Sequence, residues 1–382
     1  MSFQSSVCKQ MLSLVSRLDF EKYVKKYDGD KRMRTLNCYS QFVHLFSAQL
    51  AGRESLRDTV ETGRTLQTKF YHLGCRPVKR STLSDANNRR DNRIYRDLFF
   101  NMYQRVQGLA PKYKLNLPRE LYVIDSTTID LCLTLYPWAR FRKNKAGVKL
   151  HTLMKCAGSL PEFINITDAK THDAKGAADL PVPKGSFLAI DKAYHDFAKY
   201  NEYNNNDIRF VTRLKTNAAF KVIRTIESGH PAVIADEIIE FTGHSTHKKY
   251  PHPLRKITRR DPETQKLLIF LTNELELPAQ TVADIYRARW EIELFFKIIK
   301  QNLKIKRFFG CSENAVRTQI WIAMIVYLMI SFLKFRNNST YSVQQLFRIL
   351  QINLFQRTSL TELIKGINTQ IRNSNQMALF PI

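Results

Sequence analysis

Four side chains in one short stretch, a phenol, a guanidinium, a carboxylate and an ammonium, have the spacing to share one edge of a helix. Tyr286, Arg289, Glu293 and Lys300 stand at offsets 0, +3, +7 and +14. On a helix advancing ~100° per residue they fall within about 60° of one another. Residues 283–303 around them hold no Gly or Pro and are rich in helix formers. Ile285, Ile292, Phe295, Phe296 and Ile299 collect on a separate apolar face. The polar edge thus presents a phenol, a guanidinium, a carboxylate and an ammonium in one line. The same edge also suits a solvated helix on which Glu293 pairs with Arg289 and Lys297 at i,i+4 spacing. The helix alone leaves the role of that edge open.

Cleavage and transfer of a phosphodiester must activate an oxygen nucleophile and stabilise a leaving 3′-oxygen. Two divalent ions about 3.5–4 Å apart do both, and proteins hold them mainly with carboxylates. Two aspartates upstream end apolar runs of strand type: Asp125 closes LYVID and Asp191 closes GSFLAID. Asp125 hands on to Ser126-Thr127-Thr128, and residues 128–133 read as a neighbouring strand. In PWARFRKNKAGVK, Arg140, Arg142, Lys143, Lys145 and Lys149 alternate with Trp138 and Phe141, a mixture suited to phosphate contacts and base stacking. The strand 148–156 points Lys149 and His151 to one face. His151 reads as an ordinary hydrogen-bonded histidine, and Asp173 as a structural acid in the first turn of a helix.

The positioning elements need a chain of some size, and 382 residues with 44% hydrophobic content allow two or three domains with a substantial core. Sixty Lys+Arg against 34 Asp+Glu give +26. Such a surplus calls for a polyanion, either nucleic acid or an anionic membrane surface. The six cysteines are scattered with no C-x2-C pair, which argues against zinc and disulfides and fits a reducing compartment. No secretory signal is legible at the N-terminus. The most apolar run, residues 320–333, is shorter than the ~20 residues of a membrane span, so a buried core helix is expected there.

Residues 1 to about 75 read as short helices, with Gly74 as a C-cap. Ser81 reads as the N-cap of a long helix whose first turns carry Arg89, Arg90, Arg93 and Arg96. A helix–turn–helix followed by such a basic helix suits DNA reading, although a charged helix in solvent gives the same pattern. Residues 207–275 alternate as strands, and between 213 and 260 ten Lys/Arg face four Asp/Glu. Residues 304–309 are basic again, and amphipathic helices follow residue 337. His244 and His247 lack a third partner at metal-ligand spacing and read as exposed loop histidines.

Y-x2-R-x3-E-x6-K, met here by Tyr286, Arg289, Glu293 and Lys300, resembles the signature of DDE transposases of the IS-four (insertion sequence four) family. DSTTIDL, PWA, KLH and Asp191 with Tyr194 are typical of the same family. GRESLRD, YHLG and RSTLSDAN resemble the N-terminal domain of some of its members, over roughly residues 4–95. The resemblance implies an α/β, ribonuclease-H-like catalytic core over 115–315 with a β-rich insertion at about 207–275. A helical N-terminal DNA-binding domain (1–110) and a C-terminal helical region (316–382) would flank it. Asp125, Asp191 and Glu293 would be the catalytic, metal-binding triad, holding two Mg²⁺ ions or Mn²⁺ as a substitute, with Asp125 bridging. Tyr286, Arg289 and Lys300 would grip DNA beside the cut, Arg140, Arg142 and Lys149 would add contacts, and Arg89, Arg90 and Arg93 would serve end recognition. The implied partners are the element's terminal repeats, target DNA and a second copy of the chain, in the prokaryotic cytoplasm at the nucleoid. All three tryptophans (138, 290 and 321) lie outside the insertion, where some relatives stack a flipped base. That counts against a hairpin-forming pathway. A silent DNA-binding derivative would have no reason to keep three acids, and a stand-alone nuclease would need neither the N-terminal helices nor the insertion.

Overall fold

The computed structural model describes residues 5–178, 180–214, 219–303, 305 and 307–366. Lys215, Lys304 and Lys306, counted above among the basic residues, lie outside the described residues. The chain opens with α1 (Val7–Leu12), α2 (Arg17–Lys26), α3 (Cys38–Leu50), α4 (Leu56–Thr65), α5 (Gln67–His72), α6 (Arg80–Arg89) and α7 (Arg93–Gln107). Strands β1 (Leu121–Leu131), β2 (Arg140–Arg142), β3 (Lys145–Lys155) and β4 (Leu160–Asp168) follow. Next come α8 (Asp173–Ala177), β5 (Phe187–Ile190), α9 (Phe197–Asn205) and β6 (Arg209–Arg213). Then come β7 (Phe220–Thr225), β8 (Val233–Phe241), α10 (His244–Lys249), β9 (Leu254–Arg260) and β10 (Leu267–Thr272). The remaining helices are α11 (Ala279–Arg287), α12 (Trp290–Gln301), α13 (Glu313–Arg336), α14 (Val343–Asn353) and α15 (Leu360–Lys365).

The sheet unit comprises residues 112–133 and 139–296. β1 and β3 pair antiparallel, with Asp125 opposite Thr152, and β4 continues the meander on β3. β5 then runs parallel to β1, and β6 parallel to β5. The order β4-β3-β1-β5-β6, antiparallel on one side and parallel on the other, is a ribonuclease-H-like core. β6, the first strand of the 207–275 stretch, belongs to that core, and β10, β9, β8 and β7 extend the same sheet beyond it. Much of the positive charge there is matched across strands. Arg255 and Asp236 form a buried bidentate pair at 2.8 and 2.6 Å, and Lys256 and Lys221 pair with Glu237 and Glu240. His244 and His247 are exposed on α10.

Two expectations about the strands and helices change. β1 does not end at Asp125; it runs unbroken through Ser126-Thr127-Thr128 to Leu131, because the segment has strand formers, no Gly or Pro, and a continuous pairing with β3. The expected long helix from Ser81 is two helices, and Lys79, not Ser81, stands at the N-cap. Arg90 takes an extended conformation between them. Its guanidinium reaches Gln41 at 2.9 Å, the Leu36 carbonyl and Asp30, so packing overrides the helical periodicity.

The helical unit gathers residues 1–111, 134–138 and 297–382, of which the described ones carry α1–α7 and α13–α15. Ser312 caps α13, whose residues from Thr318 to Leu333 are all buried. α13 packs against α3, α6, α7 and α14, so the most apolar run is a core helix of this unit. The N-terminus is pinned to the C-terminal helices: Val7 N–H donates to Gln356 O at 3.0 Å and Cys8 N–H to Leu354 O at 2.8 Å. Gly74 adopts φ +81° past the end of α5, as a C-capping glycine does.

Asn314 clamps the α6–α7 break. Its Nδ2 donates to Asn87 O (2.8 Å) and Arg90 O (2.6 Å), while its Oδ1 accepts from the backbone and side-chain amides of Asn92. Asn314→Ala is expected to lower stability by about 2 kcal/mol, since part-buried backbone groups lose their partners. A lower denaturant midpoint at unchanged slope would register it. A midpoint equal to that of the parent would mean that water replaces the clamp without cost.

Candidate active site

The parallel ladder between β1 and β5 ends at the pair Ile124–Ile190. The next residue on each strand is an aspartate, so Asp125 and Asp191 emerge side by side. Strand alternation gives them a common face. Tyr122, Ile124, Leu188 and Ile190 point the other way, into a core closed by Ala177 of α8 and Tyr200 and Tyr203 of α9. The face that carries Asp125 and Asp191 is left to α11, which packs on β5 and β6. The Ser126 N–H donates to Asp125 Oδ1 at 2.8 Å.

The helix bearing Tyr286, Arg289 and Glu293 is not continuous. α11 stops at Arg287 and α12 starts at Trp290, joined by tight i→i+3 bonds from Arg289 N–H to Tyr286 O and from Ile292 N–H to Arg289 O. No Gly or Pro announces this break. Its effect is to aim Arg289 at the strand ends. One guanidinium meets three carboxylates: Glu293 at 2.8 Å, Asp125 at 3.4 Å and Asp191 at 3.9 Å. Arg289 is the most enclosed of the four, its side chain 13% exposed. Glu291, the other acid in the first turn of α12, faces elsewhere and accepts from Tyr113 Oη at 2.8 Å and Ser159 Oγ at 3.2 Å. Geometry therefore separates two glutamates that composition cannot.

The electrostatics follow from burial. Enclosure pushes the Asp125 carboxyl up to about 6; the Ser126 N–H and Arg289 oppose this, while Asp191 and Glu293 add to it. Tyr286 stands behind the arginine, its ring 5.8 Å from the Arg289 guanidinium carbon and 5.3 Å from the Phe270 ring. Burial raises its phenol above the ordinary value. Lys300 lies two turns beyond Glu293 on α12.

Behind β1 a second cluster sits on the Ser126 side. Asp173 Oδ1 accepts from Ser126 Oγ at 2.6 Å and pairs with Lys149 at 3.0 Å, and Lys149 also donates to Thr171 O. Lys149 was expected on a DNA-facing surface, and the structure turns it inward, because β3 carries it to the face that α8 covers. His151 is wholly buried, with Nε2 3.0 Å from Thr167 Oγ1, and burial lowers its pKa to about 4. It is the hydrogen-bonded core histidine expected. Arg140 and Arg142 are exposed on β2, and Arg142 leans toward the Phe141 ring at 5.6 Å. In the helical unit Arg89 is exposed, Arg90 is spent internally, and Arg93 is engaged by Asp91 and the Tyr27 ring. Arg90 is thereby withdrawn as a DNA contact.

Among the described residues no three His, Cys, Asp or Glu side chains stand ready-made around an ion. The donor set nevertheless suits one. Three hard oxygen donors converge on a single cation, and the acid most enclosed among them binds its proton abnormally tightly. The guanidinium stands where a divalent ion would be drawn.

A ribonuclease-H-like sheet on which an aspartate within β1, the aspartate that follows β5 and a helix glutamate converge has the donor set of phosphodiester chemistry. Residues 116–329 match the family described as the transposase DDE domain, and residues 3–76 a domain of unknown function (DUF4372). The chain is 31% identical to the transposase y4zB of Sinorhizobium fredii, over 72% of this chain and 77% of that one. It is 23% identical to the transposase for insertion sequence element IS4SA of Synechocystis, over 79% and 86%. The chain belongs to the DDE transposases of the IS4 family. Among solved structures, the piggyBac transposase synaptic complex with hairpin DNA matches with a TM-score of 0.45 and 12% identity, over 98% of this chain and 85% of that one. A likeness that distant adds nothing to the topology above. The chain is accordingly a DNA transposase, an enzyme that cuts and transfers DNA strands, and its family works with divalent metal ions.

Proposed function

We propose that Asp125, Asp191 and Glu293 are the catalytic carboxylates, and that they hold two Mg²⁺ ions, or Mn²⁺, while the chain cuts the ends of its own insertion sequence. The observation that carries this reading is the meeting of all three on the Arg289 guanidinium. Divalent ions held there would supply activation of an oxygen nucleophile and stabilisation of the departing 3′-oxygen. In the metal-free chain Arg289 is the counter-ion of the acids; with DNA bound it becomes the fork that holds a phosphate beside the cut. Tyr286 keeps that arginine in place from behind. Lys300, two turns on, holds a neighbouring phosphate, and Arg140 and Arg142 hold the duplex further out. A homodimer, one copy per element end, completes the proposed complex, acting at the nucleoid. The domain division proposed is a helical DNA-binding part and a catalytic sheet part.

The test uses duplex DNA from the flanks of this gene that contains short inverted repeats. Nicking at the repeat boundary, dependent on Mg²⁺ or Mn²⁺ and abolished by EDTA, is the expected result. Binding without nicking under any divalent ion would favour a silent DNA-binding derivative. Lys300→Ala is expected to fold normally and to flatten the dependence of binding on salt by about one unit, as the loss of one phosphate contact does. Lys297→Ala, on the same helix but outside the motif, serves as control. Equal effects from the two would remove Lys300 from the site.

A further inference from the structure

The arginines that sequence spacing singled out for DNA reading are largely consumed inside the helical unit. Arg90 is held by Gln41, Leu36 O and Asp30, Arg93 by Asp91, and Arg96 by Asp97. Arg89 alone of that group makes no ion pair among the described residues; it is exposed, as are Arg57, Arg76, Lys79 and Arg80, which make none either. Four of these five bracket α6. That helix buries Leu83, Ala86 and Asn87 against the body of the unit and leaves Arg80, Ser81, Asp85, Asn88 and Arg89 exposed. A cleft of about 580 Å³ runs along one side, where Arg80, Ser84 and Asn88 face Arg57 and Ser312. A second, also about 580 Å³, lies on the other side, where Lys79 and Thr82 face Arg76, Asn37 and Ser40. α6 is therefore a ridge between two clefts, one walled in part by Arg57 and Arg80 and the other by Arg76 and Lys79.

We propose that α6 is the helix that reads the base sequence of the element's ends. Ten residues of helix span about 15 Å, and a helix fits the ~12 Å major groove. Arg80, Ser84 and Asn88 recur at i, i+4 and i+8, so they line one edge of the ridge. Their chemistry matches base edges: arginine donates to guanine O6 and N7, the asparagine amide to adenine, and serine to either. Asn88 Oδ1 already accepts from Ser312 Oγ at 2.7 Å, which fixes the amide plane and leaves its N–H pair to donate outward. Asp85, the one acid on the exposed face, suits a cytosine amino group. Arg57, Arg76 and Lys79 stand off the ridge, where they neutralise phosphates on the two strands. α4 packs against α6 and supports it from the body of the unit, and the Asn314 clamp fixes the far end. Residues 80–89 lie outside both matched segments, 3–76 and 116–329. The proposal rests on the transposase reading and adds where its sequence selectivity resides.

Deleting residues 1–115 would not test this, because α13 would lose α3, α6 and α7. Point variants of the full chain do. The wild-type chain is used to select from a randomised 30-base-pair duplex library, and the motif it enriches is compared with those of Arg80→Ala and Asn88→Ala. Each variant is expected to unfold at the parent temperature, bind the parent motif about 10- to 100-fold more weakly and relax the choice of base at one position. Arg57→Ala is expected to weaken all sequences equally and to reduce the salt slope by about one. Arg64→Ala, which removes a surface partner of Glu61 and lines neither cleft, is expected to leave the motif and the affinity unchanged. Retention of the full motif by both α6 variants overturns the proposal. So does enrichment of no motif by the wild-type chain, while nicking of the flanking duplex reports independently on the catalytic reading.

Discussion

Asp191→Asn, and with it Asp125→Asn and Glu293→Gln, will reduce nicking of an end-bearing duplex by at least about 10²-fold while duplex binding survives. Each change keeps the shape of the side chain and removes one anionic oxygen donor from the site proposed to hold two dications. Losing one such donor costs ~3 kcal/mol or more of transition-state stabilisation, which is the stated factor in rate. Binding survives because the cations that hold DNA are unaltered. Glu291→Gln is the matched control: it sits two residues from Glu293 and meets Tyr113 and Ser159 instead of Arg289. Nicking assays with Mg²⁺ at fixed salt decide it. A near-parental rate in any one of the three variants would remove that residue from the triad, and a loss in Glu291→Gln equal to that in Glu293→Gln would undo the choice between them.

Arg289→Ala should produce a large and pH-dependent loss of stability in EDTA. Removing the guanidinium leaves three acids facing one another with no cation among them. Taking one partner from a fully buried ion pair costs ~3–5 kcal/mol, and the partial exposure of these carboxylates reduces that to about 2–3 kcal/mol at pH 8. Asp125 already titrates near 6 in the native chain, against an ordinary 3.8, and loss of Arg289 removes an influence that lowers it. The native state then holds protons that the unfolded chain releases, so stability falls as pH rises from about 4 through the raised native value. The deficit relative to the parent should thus be small near pH 4 and greatest near pH 8. Mn²⁺ should stabilise the variant more than the parent, because it replaces the missing cation without having to displace a tethered one. Thermal melts over pH 4–8, with and without metal, give both readings. Equal melting of parent and variant at pH 8 would mean that the guanidinium does not hold the acids together in solution.

Much of this site could be read before any coordinates. Asp125 and Asp191 are legible because each closes an apolar run of strand type, although β1 continues past Asp125, and Glu293 because its neighbours carry a family spacing. What could not be read was orientation. The break at 288–289 has no sequence marker, so Arg289 was expected along a helix edge, and it points into the acids instead. Lys149 and Arg90 were misassigned for a related reason. A cation looks alike in sequence whether it faces solvent or a buried acid, and only packing tells that Lys149 meets Asp173 and Arg90 meets Asp30. In the fold, Ser126-Thr127-Thr128 looked like a turn because serine and threonine serve in turns, yet the pairing with β3 carried the strand through it.

The helical unit is assembled from the two ends of the chain, with the whole sheet unit encoded between them. A ribosome delivers α1–α7 first, and their shared apolar surface has no α13 to close on until residue 336 has been made. Contacts of such long sequence separation form late and slowly. Chains released early, whether by a frameshift, a premature stop or a broken message, therefore lack the packed platform on which α6 is mounted. On the α6 proposal, a chain that stops before residue 336 cannot present that ridge, so decayed copies of the gene would yield products unable to compete with intact ones for the element's ends.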